Sequence, residues 1–511
     1  MAIIGAFRRG LQAAMKPIVR AVYGYESAAP GRRASGWRMT TANINALLAG
    51  SGDTIRAQAR QAARSNPLGR NAVNTYAANI IGTGMVPQPK HPDAAERAML
   101  KLEWDRFCNQ SDADGVQNLY GQQTTVVREV YEAGECLVRK RPRRLNDGLR
   151  IPLQIQLLEP EHLPFDLNIT AENGNIVRYG VEFDGLGRRV AYHLYRNHPG
   201  EILALGNNTE KTRVLASDLL HNFNPLRAGQ VRGETAFAPV LAKLLELDAY
   251  DDAELVRKRL VTMLIGWIRK GSDGESVIPT TTSVNGETAP DGVGFSELEP
   301  GTVLNLPQDG TDMGWNSPSD VGGSYETFFR VQDHRLSVGL QLAYEQLTGD
   351  TLGSTYSSVR SRLIEVRRLF EQYQYNVFEF QFCRPVWVWF IEALLVAGIL
   401  DARKFAANQA AYYDVDWRAQ AWPWVDPVAD VDAEQSQVRN GFKARATVVY
   451  ERGGDVESVD TQQAADNKRA DGLGLQYDSD GRVAAAGSPG KASQPAAASS
   501  AKQGKQSQVP Q

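Results

Sequence analysis

Cysteine is nearly absent: Cys108, Cys136 and Cys383 are the only three in 511 residues, far apart and without a C-x-x-C pair. That argues against a disulfide framework and a cysteine-based zinc site, and it fits a reducing cytoplasm. Histidine is also scarce, at six. His193 and His198 do not have the i, i+4 spacing of a helical zinc pair, and no H-E-x-x-H occurs, so polar surface is their expected role. No G-x-x-x-x-G-K-[ST] cradles a nucleotide phosphate. No G-x-S-x-G elbow accompanies Ser217, Asp218 and His221, whose closeness in sequence is poor evidence for a triad. A hydrolase working through the His221 region is the enzymatic alternative. A dominant charge is missing as well: 56 Lys and Arg against 59 Asp and Glu leave a formal −3, with an isoelectric point near 6.2. Nucleic-acid contact, where present, must then be local or weak. The most apolar run, Val386 to Leu400, carries Glu392 and is too short to cross a bilayer. The N-terminus scatters Arg8, Arg9, Lys16 and Arg20 among its apolar residues, unlike a signal peptide. No membrane span is expected.

What is present is enough apolar material, 42% of residues, for two or more packed units. Residues 1–40 read as a basic arm and 476–511, rich in Ala, Ser, Gly, Gln and Lys, as a solvated tail with no means of forming a core. Between Thr41 and Tyr131 the pattern is helical, with Asp53 a candidate N-cap for the run to Ser65 and Asp93 for the set Met99, Leu102 and Phe107. Gly82 to Pro89 marks a break. Strand character follows at Cys136 to Val138, Leu153 to Leu158, Ile176 to Phe183 and Arg189 to Tyr195. The last two flank Asp184-Gly185-Leu186-Gly187, a hairpin signal.

Ala236 to Lys270 carries helical periodicity through Phe237, Val240, Leu241, Leu244, Leu247, Leu255, Leu260, Met263, Leu264 and Trp267, with Pro239 suited to a first turn. Fully helical it spans roughly 50 Å; the alternative is that its far end turns into a strand. Gly271 to Gly323 reads as a small β-rich insertion. Helical pattern resumes from Ser324 to Glu345 and stops at Leu347 to Ser354. A second long helix follows through Tyr356, Val359, Leu363, Val366, Phe370, Tyr373, Val377 and Phe380, capped by Ser354 or Thr355, and Pro385 is expected to kink or end it. The fold class is α+β, mainly α. Two helices enclosing an inserted module suit an elongated subunit packed beside copies of itself; a monomeric adaptor with long helices is the competing reading.

Two arginine clusters invite a nucleic-acid reading. Arg139, Lys140, Arg141, Arg143 and Arg144 end a strand and are expected on a solvated turn. Arg360, Arg362, Arg367 and Arg368 interleave with Glu365 and Glu371, as in an ion-pair seam between subunits. Trp387, Trp389, Trp417, Trp422 and Trp424 are expected to pack a core rather than stack on bases.

Five stretches are more specific in their order and spacing. They are Val127-Arg128-Glu129-Val130-Tyr131-Glu132-Ala133-Gly134-Glu135; Gly180-Val181-Glu182-Phe183-Asp184 leading to Arg189-Val190-Ala191-Tyr192; His221-Asn222-Phe223 with Arg227-Ala228-Gly229-Gln230-Val231-Arg232-Gly233; Tyr344-Glu345-Gln346-Leu347-Thr348-Gly349-Asp350 before Tyr356-Ser357-Ser358-Val359-Arg360; and Pro423-Trp424-Val425-Asp426-Pro427. Together, over roughly Ala42 to Leu475, they resemble the lambda-type portal, or head-tail connector, family of tailed bacteriophages.

The resemblance implies a portal fold assembled into a ring, commonly of twelve. Its parts would be a basic arm (1–40), an α+β wing (41–235), a stem helix (236–259), a clip (260–323), a returning stem helix (324–345), a tunnel loop (346–355), a kinked helix returning to the wing (356–429), a crown (430–475) and a disordered tail (476–511). It implies a non-enzymatic conduit at one capsid vertex for packaging and ejecting double-stranded DNA, and an initiator of procapsid assembly. The implied partners are the large terminase subunit on the clip, head completion and connector proteins, and scaffold and major capsid protein around the wing. No membrane, metal or cofactor is implied. The location would be the virion, after assembly in the host cytoplasm. The DNA-facing candidates are Gly349, Asp350, Thr351, Leu352, Gly353 and Ser354, with a plain solvent loop as the alternative. This loop departs from a common pattern of the family in lacking a basic residue. Each phosphate neutralised by Lys or Arg adds affinity that retards sliding, so contact by shape and weak polar groups is expected there.

Overall fold

Asn43 opens the first helix, α1 (Ile44–Ser65), by accepting a hydrogen bond from Ala46 N. The cap expected at Asp53 therefore lies too late: Asp53 is an exposed position inside α1, which continues through Gly50 and Gly52 against their low helix propensity because Leu48, Gly52 and Arg56 lie on its buried stripe. Ile44, Leu48, Gly52, Arg56, Ala59 and Ala63 form the buried stripe, three and four apart. Asn66 then caps α2 (Pro67–Ile80), whose proline sits in the first turn, where its missing N–H has no intrahelical partner to lose. In the computed structural model described here, the residues placed are 40–201, 210–263, 267–269, 312–314, 324–420, 422, 427–475 and 477. Nearly all of the expected arm, tail and clip lies outside the described residues.

After β1 (Val86–Pro89), α3 (Ala94–Gln110) starts at Asp93, which accepts from Ala95 N as the sequence pattern suggests. α4 (Leu119–Ala133) ends on Gly134 in the left-handed region, and β2 (Glu135–Pro142) follows at once. A side chain at Gly134 would also collide with the backbone of Glu234, so this turn needs glycine twice over. The remaining strands of the α+β part are β3 (Leu153–Leu158), β4 (Ile169–Thr170), β5 (Ile176–Arg178), β6 (Val181–Phe183), β7 (Arg189–Tyr195), β8 (Lys211–Leu215) and β9 (Leu219–Phe223). They form a three-stranded antiparallel sheet, β3-β2-β9, and a five-stranded meander, β4 to β8. Leu137, Val181, Tyr192, Leu194, Val214 and Leu219 from both sheets share one buried cluster. The Asp184 to Gly187 hairpin joins β6 to β7 as expected. The run Ile176 to Phe183 is two strands rather than one: Tyr179 and Gly180 both adopt positive φ and turn the chain, held by Asn168 Oδ1 on Tyr179 N and by Arg232 Nη1 on Tyr179 O.

The helix expected from Ala236 is α5 (Leu241–Met263); Ala236 to Val240 form turns that carry Pro239. Twenty-three residues give about 35 Å, and the far end does become strand: β10 (Trp267–Arg269) pairs antiparallel with β11 (Asp312–Gly314) at the base of the insertion. The returning helix, α6 (Ser324–Gly339), stops six residues short of Glu345, where Gln341 turns at positive φ. α5 and α6 run antiparallel, with Gly339 against Val240, and Tyr250 beside Tyr325 and Phe329.

α7 (Tyr344–Thr348) takes up the first residues of the expected tunnel loop, and Thr355 caps α8 (Tyr356–Tyr373). Pro385 neither ends the helix nor starts a loop. A π-helical stretch, Gln374–Cys383, leads into α9 (Arg384–Val396), with the proline in the first turn of α9. The wider turn brings Phe378 and Phe382 into a parallel stack and lets Gln374 donate to Ile80 O. After α10 (Ala402–Ala407) and α11 (Gln409–Tyr413), β12 (Val415–Arg418) closes on β1. Trp104, Trp387, Trp417 and Phe390 meet there with ring centroids 5.1–6.3 Å apart, all buried, and Trp389 is buried nearby with its indole N–H on Ser217 O. These tryptophans are core, as expected from sequence; Trp424 lies outside the described residues.

A second unit begins at Ala421, before the expected boundary at 430. Its described helices are α12 (Pro427–Arg439), α13 (Arg445–Glu451) and α14 (Val456–Leu473), tied by Arg452 to Glu434 at 2.9 Å and Arg445 to Asp460 at 2.7 Å. Among its described residues only Ala470 is buried, while Val428, Phe442 and Leu473 are largely exposed. Among the described residues of the chain, no helix is long and apolar enough to cross a membrane.

Candidate functional site

The loop after α7 is built by the residues that flank it. Gly349 ends α7 at positive φ, and Gly353 repeats that conformation before Thr355 opens α8. Asp350 Oδ1 accepts from Leu352 N at 2.8 Å, closing the turn on itself. Its other oxygen accepts from Tyr344 Oη at 2.7 Å and from Arg330 Nη2 of α6 at 3.1 Å. These partners, the Leu352 amide first, hold the Asp350 carboxyl below its ordinary range. Arg330 also donates to Leu352 O, His334 stacks on Tyr344, and Asn71 of α2 donates to the carbonyls of Gln346 and Leu347. Ser354 donates to Glu345, which is paired with Arg362. The acid in the loop is thus neutralised by a base twenty residues upstream, which loop composition alone could not reveal. Thr351, Leu352 and Gly353 form the exposed tip, with Leu352 73% exposed.

A second constellation joins three of the five stretches that carry the family resemblance. Glu135, at the start of β2, is completely buried. Its oxygens accept from Arg56 Nη2 (2.8 Å), Arg232 Nε (2.9 and 3.0 Å), Arg232 Nη2, His221 Nε2 (2.8 Å) and Gly233 N (2.8 Å). Burial alone would raise the Glu135 carboxyl, but Arg232, His221 and Arg56 outweigh it and hold it well below the carboxylate range. Burial pushes His221 down to about 4, against the pull of Glu135. Arg189 Nη1 lies 3.1 Å from His221 Nδ1, which fixes a neutral imidazole donating through Nε2. The acid partner of His221 is therefore Glu135 and not Asp218, and Ser217 offers its backbone carbonyl to Trp389. This arrangement clamps β2, β9 and the Arg232 segment onto α1 and contains no nucleophile. In the sequence Glu135 stands in one stretch and His221 and Arg232 in another, with nothing local to join them; Arg56, on the apolar face of α1, is the available signal.

The other titratable groups are also tied into the fold. Glu182, buried on β6, accepts from Arg213, Asn173, Asn175 and His193, so His193 is a structural partner rather than polar surface. Arg60 sits among Glu129 (2.8 Å), Glu161 (3.0 Å), Glu159 (3.6 Å) and Glu132 (3.8 Å). Glu159, Glu161 and His198 converge closely enough to hold a cation, but Arg60 already lies against both acids. On α8, Arg368 pairs with Glu365 along the same helix and Arg362 with Glu345 of α7.

Buried ion clusters at Glu135 and Glu182 thus fix the α+β scaffold, and Arg330, Tyr344 and Asn71 tether the loop at Asp350. The profile of the family described as "Phage portal protein, lambda family" matches residues 30–374, about two thirds of the chain, and the chain belongs to that family. It is 26% identical over 435 residues to the probable portal protein of Halomonas phage phiHAP-1, covering 83% of this chain and 82% of that one. It is 23% identical to the portal protein of Escherichia phage N15 (87% and 89% covered) and 22% identical to portal protein B of Escherichia phage lambda (63% of each). Among solved structures it is similar to a chain in the neck of a native gene transfer agent particle computed with C12 symmetry, at 15% identity and TM-score 0.42, covering 79% of this chain and 93% of that one. An HK97-family phage portal protein from Corynebacterium diphtheriae is more distant, at 13% identity and TM-score 0.27 (61% and 85% covered). At those scores no detail of either structure is carried over to this chain.

Proposed function

We propose that this portal protein acts without catalysis, as one subunit of a closed ring through which double-stranded DNA enters and leaves the capsid, with the Gly349 to Ser354 loop facing the channel. Membership of the lambda portal family is the observation that carries the conduit role. Assembly draws support from apolar side chains left uncovered on the long helices: Leu245, Leu255 and Val256 on α5, Phe328 and Val338 on α6, and Ile364 and Leu369 on α8. The nearly coreless second unit points the same way, since helices with so little buried surface need neighbours. A ring requires two different complementary faces on each copy. In this reading α5 and α6 are the stem, residues 260–323 the clip that receives the terminase large subunit and later the connector proteins, the α+β part the wing beside scaffold and capsid protein, and α12 to α14 the crown. A ring of twelve, assembled in the host cytoplasm, completes the proposal.

Asp350 is a latch in this reading, and the exposed tip makes the DNA contact. Leu352→Lys should therefore slow packaging and strengthen retention of DNA in a salt-dependent way, whereas Leu352→Glu should not. Packaging assays in which both variants match the wild type would overturn the placement of the loop in the channel.

A further inference from the structure

Successive side chains of β2 point to opposite faces, and its basic residues divide accordingly. Lys140 faces α9, with Nζ 2.7 Å from Glu392 and over the Trp389 ring. Arg139 and Arg141 face the other way, about 7 Å apart as alternate strand residues are, and Arg143, one residue past the end of β2, joins them beside β3 through Gln154. Among the described residues no carboxylate is within ion-pair distance of any of the three. Neutral amides hold two of them: Arg141 Nε donates to Gln156 Oε1 and Arg143 Nε to Gln154 Oε1, each at 2.8 Å. Burial, together with repulsion from Arg139 and Arg143, keeps Arg141 below the ordinary guanidinium range despite the more distant pull of Asp114. The row is positioned but not neutralised, unlike the arginines around Glu135 and Glu182. It borders a recess of about 280 Å³ whose lining combines Arg139, Arg141 and Arg196 with Leu158, Leu194 and Tyr195 and includes one acid, Glu201.

We propose that this face binds an acidic peptide segment of a partner protein, in extended conformation, with carboxylates on the arginine row and an apolar side chain in the recess. An extended peptide presents every second side chain at about 7 Å, matching the row. Fixed guanidinium forks suit carboxylates. The apolar part of the recess favours a peptide over a nucleic acid, because a duplex offers this surface phosphates and sugars and nothing to fill an apolar hollow. The proposal goes beyond the conduit role and does not depend on where the tunnel loop points.

The test is fluorescence anisotropy on the full-length protein with a labelled peptide of alternating Glu and Leu. Its counterpart with Gln for every Glu should not bind, a comparison that requires no protein variant. Combined Arg139→Gln, Arg141→Gln and Arg143→Gln should weaken binding about 100-fold, as expected for lost charge pairs at an interface, while the combined Lys substitutions should retain part of it. Equal binding of the Gln peptide, or undiminished binding by the triple Gln variant, would overturn the proposal. So would a short DNA duplex that displaces the acidic peptide and loses as much affinity in the triple Gln variant, since the site would then belong to nucleic acid.

Discussion

Replacing Glu135 by Gln changes shape very little and removes the one buried carboxylate shared by two buried arginines, leaving Arg56 only the longer 3.5 Å contact with the exposed Asp53. Arg56 and Arg232 are 3% and 0% exposed, so neither guanidinium can turn to water when its partner is lost. The new amide also places an NH2 group where only donors arrive, from Arg56, Arg232, His221 and Gly233. Breaking a buried pair by removing one partner costs about 3–5 kcal/mol. Against a typical domain stability of about 5–15 kcal/mol, that is roughly a fifth or more of the total. Glu103→Gln provides the control: Glu103 pairs with Arg106 and Arg150, which are 45% and 51% exposed and can be rehydrated, so the cost should be about 1 kcal/mol. A chain with two units is not expected to unfold in one step, so the assay should be local. Hydrogen exchange resolved on β2 and β9 should show protection falling far more in the Glu135 variant than in the Glu103 variant. Equal, small losses in both would refute the claim that these strands are held by a charge cluster rather than by apolar packing.

The same cluster gives a pH dependence. His221 is depressed to about 4 in the fold, so between its ordinary value and pH 4 the unfolded chain takes up a proton that the native chain refuses. Stability should fall on acidification through that window, by up to about 3 kcal/mol, and urea midpoints measured from pH 7 to pH 4 should show a shallower decline in His221→Gln. Asp350 is also depressed, so the latch should be intact above the ordinary carboxylate range and be lost as pH falls through the lowered value. Asp350→Asn should mimic the acidic state at neutral pH, read as faster proteolysis at Leu352 with unchanged protection of α8. Gly233→Ala should prevent folding, because its Cβ would lie 2.1 Å from Gly134 O; soluble, protected protein from that variant would contradict the placement of the Arg232 segment.

Periodicity made the long elements legible. α5, α6 and α8 carry apolar residues three and four apart, Thr355 and Asp93 are caps with side-chain acceptors, and Asp184 to Gly187 is a turn sequence with little competition. Boundaries were lost where tertiary contacts overrode local preference. Tyr179 occupies a left-handed turn that no rule for tyrosine suggests, because Arg232 and Asn168 hold its backbone. Pro385 follows a π-helical stretch in which Gln374 reaches Ile80, far along the chain, while Phe378 and Phe382 stack on each other. The loop at Asp350 was visible as a loop, but its electrostatics were not, since Arg330 and Tyr344 arrive from outside it. The buried cluster at Glu135 was visible only as three unconnected stretches, because pairs 56 to 135 and 135 to 232 close over long separations.

The central claim is that copies of this chain close into a DNA-conducting ring. Cryo-electron microscopy of the full-length protein under assembly conditions tests it most directly. The account predicts a closed rotationally symmetric ring with the α5 and α6 helices side by side around an axial channel and Leu352 at the channel wall. A chain that stays monomeric at 56.2 kDa, or a ring with the Leu352 loop on its outer surface, would contradict it.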